Sequence, residues 1–155
     1  MRYHGVMHLY FSGIGGAGIG PLALIAHQAG YTVSGSDKKE SSYTKYLEKQ
    51  GITLHIGQSS EQINAVHQAN HIDWLVVSSA VPLENPEHPE LLFAHEHNVK
   101  VTKRDELLNL KKKKKGLKLI AVAGTHGKTT ATAMCIWAFK QLGIPVSYSV
   151  GAKTS

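Results

Sequence analysis

The sequence predicts an α/β protein: a Rossmann-like doubly wound parallel sheet, followed by the first strand, phosphate loop and helix of a second α/β unit. Three observations carry this expectation. From Met7 to Leu110, apolar stretches of strand length alternate with stretches of helix length, the pattern of right-handed crossovers in a mostly parallel sheet. The first apolar stretch runs straight into Gly13-Ile-Gly15-Gly-Ala-Gly18, a G-x-G-x-x-G fingerprint. A second glycine loop, Val122 to Thr130, lies between an apolar run and a helix-like segment.

Taken in order, Met7 to Ser12 reads as a first strand buried on both faces, because apolar residues dominate it. The helix after the glycines must start near them, since Pro21 is tolerated only in a first turn, and Gly30 suits its C-terminal cap. Tyr31 to Ser34 is the next strand, and Asp37 follows at the spacing of a ribose-binding carboxylate. The alternative is a tight turn whose glycines serve only helix–strand packing. Ser42 to Gln50 reads as a helix closed by Gly51, Ile52 to Ile56 as a strand and Ser60 to Val66 as a helix. Asp73 to Ser79 is the clearest strand, ending in Ser78, Ser79 and Ala80 before a Val81-Pro82 loop. Small polar residues at the carboxyl end of a parallel strand are where such sheets meet ligands. Pro89 to His97 reads as a helix, Val99 to Thr102 as a short strand and Asp105 to Leu110 as a last helix.

In the second unit, Leu117 to Ala123 reads as a buried strand, Ala131 to Phe139 as a helix and Val146 to Ser149 as a further strand. The loop between strand and helix, Val-Ala-Gly-Thr-His-Gly-Lys-Thr-Thr, departs from G-x-x-x-x-G-K-[ST] at one point, because Val122 stands where the first glycine would fall. Gly124 and Gly127 allow the backbone to turn its N–H groups toward an anion at a helix N-terminus. Lys128 would reach the outer phosphates of a triphosphate, and Thr129 would place its hydroxyl on Mg²⁺. The alternative is a turn that happens to carry a lysine. His126, inside this loop, would contact substrate or shape the turn.

Composition narrows the classes. Of 155 residues, 42% are hydrophobic, enough for a real core, and no apolar run approaches a membrane span or a signal peptide. The single cysteine, Cys135, cannot make an internal disulfide, which points to a reducing cytoplasm. The formal charge of +6 is unevenly placed: residues 1–110 carry eight Lys/Arg against eleven Asp/Glu, and residues 111–155 carry nine Lys and no acid. Five of those lysines, Lys111 to Lys115, read as a solvated linker, with a nucleic-acid contact as the alternative. ATP hydrolysis generally needs an acid that helps hold Mg²⁺, and none follows Lys128, so the chain is expected to be the leading part of a longer site. Ten histidines form no metal-binding spacing and read as scattered surface imidazoles. Met134, Ile136, Trp137 and Phe139 give the last helix an apolar side that, left uncovered, would favour self-association.

Four motifs in order, Ser-Gly-Ile-Gly-Gly-Ala-Gly at 12–18, Val-Ser-Gly-Ser-Asp at 33–37, Val-Val-Ser-Ser-Ala at 76–80 and the 122–130 loop, resemble the start of the Mur ligase family. Gly16-Ala17 favours its alanine-adding branch over the branch that recycles murein tripeptide; Gln58 and Ile19 depart from residues common in related sequences. The resemblance implies a three-domain, ATP-dependent, cytoplasmic enzyme of peptidoglycan synthesis. Its ligands would be UDP-N-acetylmuramate, ATP with Mg²⁺, and L-alanine, with neither nucleic acid nor membrane as a partner. Residues 1–110 would bind the UDP-sugar, 111–116 would link, and 117–155 would begin the ATP domain. Gly13, Gly15, Gly16, Ala17 and Gly18 would hold the diphosphate, and Ser36, Asp37, Ser79 and Ala80 the rest of the nucleotide. Gly124, Thr125, His126, Gly127, Lys128, Thr129 and Thr130 would cradle ATP, with Lys128 and Thr129 in catalytic roles and Thr129 on the metal. ATP would convert the substrate carboxylate to an acyl phosphate, which the amine of alanine attacks. A sensor that uses the first loop for NAD, without catalysis, is the competing reading.

Overall fold

A computed structural model describes residues 6–78, 81–103, 106–107, 120, 122–146 and 148, apart from the side chain of Glu84. Its centre is a five-stranded parallel sheet of β1 (His8–Ser12), β2 (Thr32–Asp37), β3 (Thr53–Ile56), β4 (Trp74–Val77) and β5 (Lys100–Lys103), in the order β3-β2-β1-β4-β5. The helices are α1 (Gly20–Gln28), α2 (Ser42–Lys49), α3 (Ser60–Ala69), α4 (Val81–Glu84), α5 (Pro89–Glu96) and α6 (Lys128–Gln141). The direction of winding reverses after β3, so β1 and β4 flank the switch point where open α/β sheets bind ligands.

Local chemistry sets the helix starts. Pro21 sits in the first turn of α1. Ser41 and Thr44 form a capping box on α2: the Ser41 hydroxyl accepts the Thr44 N–H at 3.1 Å, and Thr44 Oγ1 accepts the Ser41 N–H at 2.8 Å. Ser59 caps α3 by accepting the Gln62 N–H. Such caps each stabilise a helix by roughly 0.5–2 kcal/mol.

Side chains of alternate parity build two cores. Leu9, Phe11, Val33 and Val76 pack with Leu22, Ala23 and Ala26 of α1 and Leu47 of α2. Tyr10, Leu75 and Val77 pack on the other face with Ile63 of α3 and Leu91, Phe93 and Ala94 of α5.

Three sequence expectations change. β1 is buried throughout, but not because it is apolar on both sides: His8, Tyr10 and Ser12 form one buried face. β2 continues three residues past Ser34, because Gly35 and Ser36 pair in register with both β1 and β3, and Asp37 with β3. Gly35 is required there, since a Cβ would collide with the Phe11 carbonyl. The expected Val81-Pro82 loop is the short helix α4, whose proline occupies a first turn.

In the second unit, α6 begins at Lys128, three residues earlier than its apolar pattern, because Gly127 supplies a left-handed N-cap with φ +74°. The expected 117–123 strand lies partly outside the described residues, and Ile120, Val122, Ala123, Val146 and Tyr148 belong to no described strand. Most of the expected Asp105–Leu110 helix and all of Lys111–Lys115 also lie outside them.

Candidate functional site: a glycine loop over a buried carboxylate

The first glycine loop leaves β1 at Ser12 and enters α1 at Gly20. Its amides are divided between internal use and exposure. The Ile14 N–H donates to the Ser36 carbonyl at 2.9 Å, the Gly16 N–H to the Gly13 carbonyl at 3.0 Å, and the Ile19 and Gly20 N–H groups to the Gly16 carbonyl. The Gly15 N–H donates to Asp37 Oδ2 at 2.8 Å. Among the described residues, the N–H groups of Ala17 and Gly18 donate to no protein acceptor, and Ala17 is exposed. Two neighbouring amides beside a helix N-terminus can receive an anion without breaking a bond already made.

Asp37 is therefore tied to the loop itself, with Oδ1 also accepting the Lys39 N–H at 3.3 Å. A Cβ added to Gly15 would lie 2.7 Å from Asp37 Oδ2 and 3.0 Å from Thr44 Cγ2. Gly15 thus leaves the space in which Asp37 reaches the loop, and a larger residue would displace that carboxylate. Gly13 has φ +69° at the start of the loop. Gly13, Gly15, Gly16, Ala17, Gly18, Ser36 and Asp37 lie together at the carboxyl ends of β1 and β2, while Ser79 and Ala80 lie outside the described residues.

Below the loop sits a residue that the sequence reading missed. Glu90, in the first turn of α5, is fully buried, and its carboxylate takes three hydroxyl donors. Oε1 accepts from Tyr10 at 3.1 Å and from Ser36 at 2.5 Å, and Oε2 accepts from Ser12 at 2.5 Å. Ser12 Oγ also accepts from Gln58 Nε2 at 3.1 Å. The Glu90 N–H donates to Nδ1 of buried His88 at 3.3 Å. Burial first, and the Glu90 charge second, push the Tyr10 phenol far above its ordinary value of 10. The available signal was the period-2 spacing of His8, Tyr10 and Ser12 beside Ser34 and Ser36, a polar face that needs partners if it is covered.

The same face continues downward. His8 Nε2 lies 2.7 Å from Ser34 Oγ, its Nδ1 lies 3.1 Å from the Asn70 carbonyl, and its backbone N–H donates to Asp73 Oδ2 at 2.7 Å. Burial holds the His8 pKa below its usual 6.5. The picture of scattered surface imidazoles needs correction: His8 and His88 are buried, and the His67 ring lies 4.6 Å from His71 and 5.8 Å from His97. Among the described residues, no group of three or more His, Cys, Asp or Glu is placed to hold a metal ion.

The second loop turns through Gly124, φ +156°, and Gly127, φ +74°, into the 14-residue α6. Lys128 folds back over this loop, its Nζ donating to the Gly124 carbonyl and to the Thr125 carbonyl at 3.2 Å. Thr125, His126, Thr129 and Thr130 are exposed. Positive φ at both glycines, an exposed helix N-terminus and a lysine over the turn fit a phosphate group. Further along α6, Thr130, Ala133, Met134, Cys135, Trp137 and Ala138 line an open apolar concavity. No helix among the described residues is long and apolar enough to cross a membrane.

Comparison with known proteins agrees with this architecture. The family described as "Mur ligase family, catalytic domain" matches residues 8–111, which span the five-stranded sheet. The chain is 46% identical over 143 residues to a UDP-N-acetylmuramate–L-alanine ligase of Streptomyces griseus subsp. griseus, covering 92% of this chain and 28% of that protein. Among solved structures it is similar to a UDP-N-acetylmuramate-alanine ligase of Thermotoga maritima, with TM-score 0.76, 31% identity and coverage of 88% of this chain and 30% of that one. It is also similar to a murein peptide ligase of Psychrobacter arcticus, with TM-score 0.74, 31% identity and coverage of 88% and 27%. The chain thus spans less than a third of the length of each of these relatives. Its sheet order, its glycine loop and the extent of the match lead to one conclusion: the chain belongs to the Mur ligase family.

Proposed function

We propose that this chain supplies the sugar-nucleotide domain and the first phosphate loop of a cytoplasmic, ATP-dependent ligase that joins L-alanine to UDP-N-acetylmuramate. Residues 1–110 form the UDP-sugar domain, 111–116 the linker and 117–155 the start of the ATP domain. The observation that carries the reading is the pair of amides at Ala17 and Gly18 that meet no protein acceptor among the described residues, beside a loop pinned by Asp37 at the carboxyl ends of β1 and β2. A diphosphate needs such donors, and Gly13, Gly15 and Gly16 keep side chains out of its way. Asp37 is left to accept from ribose hydroxyls with the lone pairs that Gly15 and Lys39 do not use. Ser79 and Ala80 complete the nucleotide site in this reading, while the expected contact from Ser36 is replaced by a supporting one, because its buried hydroxyl is given to Glu90.

ATP supplies the phosphoryl group that activates the substrate carboxylate for attack by the amine of alanine. Gly124, Thr125, His126, Gly127, Lys128, Thr129 and Thr130 are the residues of this chain that would hold its phosphates, with Thr129 toward Mg²⁺. The part played by the chain is electrostatic: Lys128 and the amides of α6 offset negative charge on the phosphates.

Calorimetry tests the substrate assignment. UDP-N-acetylmuramate is expected to bind and to be displaced by UDP but not by NAD. Preference for NAD would replace this reading with that of a dinucleotide sensor. A coupled phosphate-release assay is expected to show no turnover by the 155 residues alone, and measurable turnover would refute the proposal that further ligase elements are required.

A further inference from the structure

We propose that Glu90 is a positioning residue of the glycine-loop site, fixing the strand ends that hold the loop's backbone N–H groups in place for a nucleoside diphosphate. The inference rests on the sugar-nucleotide reading above for the identity of the ligand, but its geometry is independent of it.

The carboxylate reaches both strands that carry the loop. Ser12 is the last residue of β1, immediately before Gly13, and Ser36 is its cross-strand partner on β2. Both hydroxyls donate to Glu90 at 2.5 Å, one to each oxygen. From Ser36 the constraint passes to the loop by two hydrogen bonds, one at a backbone carbonyl and one at a side chain. The Ser36 carbonyl receives the Ile14 N–H at 2.9 Å, and the next residue, Asp37, receives the Gly15 N–H at 2.8 Å. Glu90 thus stands two hydrogen bonds from the amides that set the loop's conformation.

Burial alone requires donors for this carboxylate; what ties it to the loop is that two of the three come from the paired strand ends, Ser12 and Ser36. Tyr10, one pleat further from the loop, supplies the third donor and gives an internal control. Removing its hydroxyl relieves the same carboxylate of one bond without touching either strand end. Removing the Ser12 hydroxyl takes away two bonds at the loop, the one given to Glu90 and the one received from Gln58. Ser12 also accepts from Gln58 Nε2, so this side of the network continues toward the half-buried residues after β3.

The experiment combines three readouts on Glu90→Gln, Ser12→Ala and Tyr10→Phe: thermal unfolding, the amide resonances of Ile14 and Gly15 in the ligand-free protein, and the dissociation constant for UDP-N-acetylmuramate. Glu90→Gln keeps the shape of the side chain but presents an N–H₂ to hydroxyls arranged to donate. It is expected to move the Ile14 and Gly15 amides and weaken binding about tenfold, the order expected of one lost hydrogen bond to a charged group. Ser12→Ala is expected to do the same more weakly and, combined with Glu90→Gln, to add nothing further. Tyr10→Phe is expected to lower the melting temperature with the two amides and the affinity unchanged.

Unmoved amides in a folded Glu90→Gln, or additive losses in the double variant, overturn the proposal. If Glu90→Gln does not fold, the contrast between Ser12→Ala and Tyr10→Phe decides, and equal effects on affinity refute it. If the unmodified protein binds no UDP-sugar, the functional reading fails while the amide resonances still report on Glu90.

Discussion

Asp37 Oδ2 receives the backbone N–H of Gly15 at 2.8 Å, across 22 residues of chain. The carboxylate that the spacing assigns to a ribose is therefore also a strut of the glycine loop. It ties the end of β2 to the turn after β1. In the proposed function, loop shape and nucleotide recognition share one side chain, which makes both sensitive to what stands at residue 15.

Gly15→Ala is the sharpest test of that relationship. The added Cβ would sit 2.7 Å from Asp37 Oδ2, and overpacking of this kind costs about 1–3 kcal/mol. Asp37 is expected to be pushed off the Gly15 amide, with a fall in melting temperature and a loss of about tenfold or more in UDP-N-acetylmuramate affinity by calorimetry. Unchanged affinity would show that Asp37 and the loop do not act together.

Lys128→Ala addresses the second loop. Its ammonium lies over the Gly124 and Thr125 carbonyls. A lost contact between an ammonium and a phosphate is expected to weaken ATP binding about tenfold, read with a fluorescent ATP analogue. UDP-N-acetylmuramate affinity is expected to stay within about twofold, because the site proposed for that ligand is the first loop. Equal ATP affinity in the variant would remove Lys128 from the phosphate site.

Acid should destabilise the domain partly through His8. Burial, the largest influence on it, lowers its pKa below 6.5, and desolvation does the same to His67, with His71 adding to the effect. A base with a depressed folded pKa is neutral in the fold and binds its proton more readily when unfolded. Its contribution to stability is present above pH 6.5 and is lost as pH falls through the folded value. Melting temperature should fall between pH 7 and 5, less steeply in His8→Gln. An NMR titration placing His8 at or above 6.5 would contradict the prediction.

The last helix presents Met134 and Trp137, 67% and 66% exposed, beside exposed Leu142. An apolar surface of this kind is expected to drive concentration-dependent association of the chain in sedimentation experiments, reduced by Trp137→Ser. A monomer at all concentrations would count against it.

Much of this molecule is local and could be read along the chain. The strand–helix alternation, the proline in the first turn of α1, the serines that cap α2 and α3, and the glycine fingerprint depend on residues within a few positions of one another. Their conformational preferences hold wherever the segment is placed. Family membership was legible for the same reason, because the motifs are contiguous. The extension of β2 through Gly35 and Ser36 was less visible. Neither residue has strand preference, and only pairing on both sides holds them extended.

The amino-acid order by itself determined the doubly wound class and the position of each glycine loop, since backbone freedom and side-chain period are properties of short segments. Tertiary structure alone decided that the polar faces of β1 and β2 would be covered, and by what. Alternation of His8, Tyr10 and Ser12 with Leu9 and Phe11 is equally compatible with a solvated face. Docking of α5 brings Glu90 against residues 54 to 80 positions away. A buried carboxylate is tolerated only where donors converge on it, and that convergence exists only in the assembled sheet.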